Sequence, residues 1–155
     1  MGSSLHAELP AWPARPLPTS DGPVWSWEVQ KVHQLAGVRS DIRRRLRDHT
    51  SGPAVQSPAA ERLLLAVEEL TSNALRHGEH PIRTAITVTD VGWLLVVTDG
   101  AGDRPPVQAV DRDPANGGLG LRLTAVLASS HGWVTEDSLK HVWAYLPFDP
   151  GNQLS

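Results

Sequence analysis

The stretch from Ser57 to Gly78 carries both ends of a helix and a stripe that has to be buried. Ser57 is an N-cap, Pro58 suits the first helical position, Glu61 places an acid in the first turn, and Gly78 stops the helix after His77. At about 100° per residue, Leu63, Val67, Leu70 and Ala74 fall within about 60° of one another, so this face needs a sheet or another helix to cover it. Glu69, Asn73 and His77 step along the flank of that stripe. Glu68 lies roughly 140° from Asn73, so of the two adjacent glutamates only Glu69 shares a side with Asn73. Taken alone, the flank reads either as a solvated helix face ending in a glycine cap or as the wall of a site.

The segments around this helix say what covers it. Val24 to Val29 alternates with aromatic and β-branched residues and predicts a strand. Leu35 to His49 predicts a helix with Val38, Ile42 and Leu46 on one face and Arg43, Arg44, Arg45 and Arg47 on the other. That basic cluster reads first as a solvated face, and second as a dock for an acidic partner. Ile82 to Asp90 alternates, turns at Val91-Gly92 and continues as Trp93 to Thr98, apolar on both faces as a central strand is. An unpatterned stretch follows from Asp103 to Asn116. Gly117 to Leu121 then opens a helix with Leu119, Leu123, Val126 and Leu127 expected inward and an end near His131-Gly132. Trp133 to Glu136 and His141 to Leu146 form a last hairpin across an Asp137-Ser138 turn. This order predicts an α+β fold, a two-layer sandwich of a mainly antiparallel, mixed sheet with helices on one face.

Residues 1 to 23 hold five prolines and little periodicity, and are expected to form an extended or disordered arm outside the core, with 24 to 148 as the domain and 149 to 155 as a tail. At 155 residues the chain suits one domain. It has no cysteine, which excludes disulfides and thiolate metal sites and makes the cytoplasm the expected compartment. No apolar run is long enough to span a bilayer. Fourteen basic and seventeen acidic residues are spread along the chain, with a net charge of -3, so charge offers no case for nucleic acid.

Two glycine-rich turns bear on the polar flank. Asp99 ends the buried strand and is followed by Gly100-Ala101-Gly102, and it is either a turn-forming residue or an acceptor aimed at a ligand. Gly117-Gly118-Leu119-Gly120-Leu121 sits at a loop-to-helix junction, where free N–H groups and the helix dipole favour an anion. No Gly-Lys-Ser/Thr follows, so this is not a P-loop, and the βαβ repeat of a Rossmann fold is missing.

In this order the pieces resemble the Bergerat-type ATP-binding fold shared by gyrase, the Hsp90 chaperones, histidine kinases and the MutL proteins. Glu69 to Gly78 looks like the N-box, Asp99 and its glycine turn like the G1 box, and Gly118 to Leu121 like the G2 box, with the stretch between them in the place of the ATP lid. Within that group the chain is most similar to small anti-sigma-factor serine kinases of the RsbW and SpoIIAB kind.

The resemblance implies ATP and Mg²⁺ as ligands. By it, Asn73 holds Mg²⁺, Glu69 is the general base, and Asp99 receives the adenine amino group beside Ala101 and Gly102. The backbone of Gly117, Gly118, Leu119, Gly120 and Leu121 holds phosphates. His77 lines the same edge, and Arg76, Arg104 or Arg112 neutralises phosphate charge. The resemblance also implies a sigma factor and a STAS-type anti-sigma antagonist as partners, with a homodimer possible. Ala101 stands where this fold usually has glycine, which keeps open a second expectation: a nucleotide-dependent regulatory binding module without phosphotransfer.

Overall fold

The computed structural model describes residues 12–49, 52–103 and 119–149. The strands are β1 (Val24–Val29), β2 (Ile82–Val88), β3 (Gly92–Asp99), β4 (Ser130–Glu136) and β5 (Leu139–Pro147). They form one sheet in the order β1-β2-β3-β5-β4, every neighbouring pair antiparallel. The helices are α1 (Leu35–Asp48), α2 (Pro58–His77) and α3 (Leu119–Leu127). The α+β sandwich expected from the pattern is the fold observed, with five strands that pair antiparallel throughout and not as a mixed sheet.

Pairing register explains which residues meet α2. Ile86 pairs with Leu95 and Leu95 with Ala144, so β2, β3 and β5 turn Ile82, Ile86, Leu95, Val97, Val142, Ala144 and Leu146 to one face, where all are buried. The α2 stripe of Leu63, Val67, Leu70 and Ala74 is buried in the same core. A hydroxyl pair, Thr71 Oγ1 and Thr84 Oγ1 at 2.8 Å, joins α2 to β2 inside it. Both ends of α2 fall where the sequence puts them. Ser57 Oγ accepts the Ala60 N–H at 3.1 Å, and Gly78 caps the far end by donating to the Ala74 carbonyl at 2.8 Å.

Helix α1 buries Leu35, Val38, Ile42 and Leu46 and reaches α2 through ion pairs, Arg39 to Glu68 at 2.9 Å and Arg43 to Glu61 at 3.6 Å. Asp41 accepts from Trp27 Nε1 at 2.7 Å and pairs with Arg44 and Arg45. Three members of the basic cluster are thus tied to acids of this chain, as a solvated helix face would have them.

Three expectations need correcting. The arm is not outside the core throughout: Trp12 is buried, donates from Nε1 to the Gly132 carbonyl at 2.7 Å and packs its ring, tilted by 50°, against His131. Ala14 makes a parallel bridge to Trp133, covering part of the open edge of β4, and the Arg15 carbonyl accepts from Trp143 Nε1 at 3.1 Å. Helix α3 also turns a different face inward. Leu121 and Thr124 are fully buried, whereas Leu123 and Val126 are exposed. Finally, α3 stops at Leu127, and His131 and Gly132 belong to β4. The Asp137-Ser138 turn joins β4 and β5 as expected, with φ of 55° and 68°, the left-handed pair a two-residue hairpin requires.

Candidate nucleotide site

The site is built where the C-terminal end of α2 meets the end of β3. Helix α2 has 3.6 residues per turn, so Asn73 follows Glu69 by about one turn on the same flank. Asn73 is buried, and among the described residues its Oδ1 has no hydrogen-bond partner. A buried carboxamide oxygen left unpaired costs on the order of 1–3 kcal/mol, a cost that a bound cation or donor would offset.

Glu69 is half-buried. Its carboxyl is pushed above the usual 4.5 by burial first and by Glu68 second, while Arg76 pulls it back. Glu68 is turned instead to Arg39 on α1, which separates the two glutamates as helical geometry predicts. Arg76 is exposed and His77 half-buried at the end of the helix.

Gly78 carries the chain off α2 directly onto Asp99. A Cβ at position 78 would stand 2.6 Å from both Cγ and Oδ2 of Asp99. The φ of Gly78 is -89°, so close approach and not left-handed backbone is what requires glycine here. One residue further, the Gly100 N–H donates to the Glu79 carbonyl at 2.6 Å, which locks the two chain segments together.

Asp99 itself is almost wholly buried. Its Oδ1 accepts the Ala101 N–H at 2.7 Å, and its Oδ2 lies 3.5 Å from Lys140 Nζ. Asp99 is thus a turn former through Oδ1, while Oδ2 faces the Lys140 ammonium. Ala101 is buried beside it, and Gly102 is held by Thr135, whose Oγ1 donates to the Gly102 carbonyl at 2.5 Å.

Leu119 and Gly120 open α3, which packs on α2, and Leu121 is fully buried. Gly117, Gly118, Arg104 and Arg112 lie outside the described residues. The structure thus brings Asp99 and the end of α2 together, and it sets Glu69, Asn73 and Arg76 along one helix.

A family model, the histidine kinase-like ATPase domain, matches residues 32–146. The chain belongs to this family. No curated protein matches the chain. Histidine kinase-like ATPase domains bind ATP, usually with Mg²⁺. The donor present here fits the metal: Mg²⁺ is a hard cation that prefers oxygen, and the unpaired Oδ1 of Asn73 supplies one. When bound, Mg²⁺ neutralises phosphate charge. Among the described residues, no helix is long and apolar enough to cross a membrane.

No motif in the sequence marks Lys140, but its phase does: Lys140 continues the period-two phase of Val142, Ala144 and Leu146, which is the buried phase of that strand. That Asp99 is its partner follows only from the β3–β5 register.

Proposed function

We propose that this histidine kinase-like ATPase domain is a Mg-ATP-dependent serine protein kinase and anti-sigma factor that phosphorylates a STAS-type antagonist. The observation that carries the reading is the pairing on α2 of a half-buried glutamate with raised proton affinity and, one turn on, a buried asparagine oxygen without a partner. A neutral imidazole already presents a lone pair to phosphorus, whereas a serine hydroxyl must lose a proton as it attacks. A base whose carboxyl is pushed toward neutrality suits the hydroxyl.

In this reading Asn73 holds the metal and Asp99 receives the adenine amino group. Glu69 accepts the proton from the serine Oγ as the bond from Oγ to the γ-phosphorus forms. The bond from that phosphorus to the bridging oxygen breaks, and ADP leaves. The partners follow from the same reading: a cytoplasmic sigma factor held while the antagonist is phosphorylated, and a second copy of the chain as dimer partner.

The test is incubation with Mg²⁺, γ-labelled ATP and the cognate antagonist. Label on an antagonist serine is expected, and Glu69→Gln should lower kcat by about a hundredfold or more. No transfer, or a fully active Glu69→Gln enzyme, would contradict the reading.

A further inference from the structure

Lys140 is a lysine where an apolar residue is the rule. Its side chain is 4% exposed, and it stands directly across the β3–β5 ladder from Asp99, whose side chain is 2% exposed. An ammonium group is buried at this depth only with partners, and one of its three donors has the Asp99 carboxylate at 3.5 Å. The Ala101 N–H fixes the other oxygen of that carboxylate at 2.7 Å. The end of the sheet therefore presents an acceptor and a cationic donor side by side, with the acceptor's orientation set by the backbone.

The Watson–Crick edge of adenine carries the complementary pair: the 6-amino group donates and the adjacent N1 accepts. We propose that Lys140 is a specificity-determining residue for the nucleotide base, donating to N1 while Asp99 accepts from the 6-amino group. The inference rests on the ATP reading above. Guanine reverses both polarities, with a carbonyl oxygen at position 6 and a hydrogen on N1, so the same pair meets it with oxygen facing oxygen and ammonium facing N–H. A site built to bond two adjacent groups rejects a base that offers neither, because its own buried polar atoms are then left unpaired.

The experiment compares the affinities of ATP and 1-deaza-ATP, in which N1 is replaced by C–H, for the wild-type chain and for Lys140→Met. Calorimetry in Mg²⁺ buffer gives both dissociation constants. The wild type is expected to prefer ATP by roughly tenfold or more, the loss typical of a hydrogen bond to a charged group. In Lys140→Met the preference should collapse to near unity.

A lysine that only neutralises Asp99 would leave the ratio of the two ligands unchanged by the substitution, and that result overturns the inference. The wild-type ratio needs no variant, so it remains decisive if Lys140→Met fails to fold: equal binding of both nucleotides by the wild type also overturns the role of Lys140. A wild type that binds neither nucleotide overturns the ATP reading itself, which distinguishes the two failures.

Discussion

Gly78 lies against the Asp99 carboxylate, so closely that a Cβ at position 78 would stand 2.6 Å from Cγ and Oδ2. The end of α2 and the end of β3 are one construction, and the helix that carries Glu69 and Asn73 is indexed on Asp99. Asp99 cannot move aside freely, because the Ala101 N–H and Lys140 hold both of its oxygens. Gly78→Ala should therefore cost about 1–3 kcal/mol of stability by overpacking. It should also weaken ATP binding, whereas an alanine placed at the unobstructed Gly37 should not. Urea unfolding and nucleotide titration of the two variants check this.

In the proposed reading, Glu69 sets function against stability. Burial, then Glu68, raise its carboxyl above 4.5 in the folded chain. Its favourable contribution is thus fully present below the ordinary glutamate range and is lost as pH rises through the raised value. Glu69→Gln, which cannot ionise, should unfold at a higher temperature than wild type at pH 8, with the gap closing toward pH 4. The same variant should lose phosphotransfer. Melting curves across pH, beside the transfer assay, give both readouts.

Thr71 and Thr84 exchange a hydroxyl hydrogen bond at 2.8 Å, both residues fully buried. Replacing either one by valine strands the other hydroxyl and should cost about 1–3 kcal/mol, whereas the double replacement removes both groups and should cost markedly less than the sum. A double-mutant cycle in urea measures the coupling. Additive losses would show that the pair does not act as a unit.

Trp12 ties the arm to β4, and its ring packs against His131 with centroids 4.5 Å apart. Burial, then the Arg15 cation, hold the His131 imidazole below its usual 6.5. The folded chain favours the neutral ring, so this stability is present above pH 6.5 and is lost as pH falls through the lower folded value. His131→Phe should flatten the acid limb of the urea midpoint measured between pH 8 and pH 5. Trp12→Ala should cost about 3–5 kcal/mol at any pH.

Where sequence and structure agree, the cause is local. The limits of α2 are written in Ser57, Pro58 and Gly78, and β3 is central because its residues are apolar on both faces. The separation of Glu69 from Glu68 needs only the helical repeat. The features that were not legible depend on distant partners. Trp12 sits in a proline-rich context that gives no period, and it is buried by contacts with β4. Helix α3 is short and apolar at Leu119, Leu121, Leu123, Val126 and Leu127, so periodicity alone does not choose the face that packs on α2. The Asp99–Lys140 pair is set by strand register, which no local pattern encodes.

Ligand-induced stabilisation tests the nucleotide site most directly. Saturation at a hundred times Kd stabilises a folded protein by about 2.7 kcal/mol, which for a domain of this size raises Tm by about 5–10 °C. Mg-ATP should produce that shift in the wild type and little or none in a folded Asp99→Ala variant. A wild-type Tm that stays flat up to millimolar Mg-ATP, or an equal shift in both proteins, would contradict an ATP site built on Asp99.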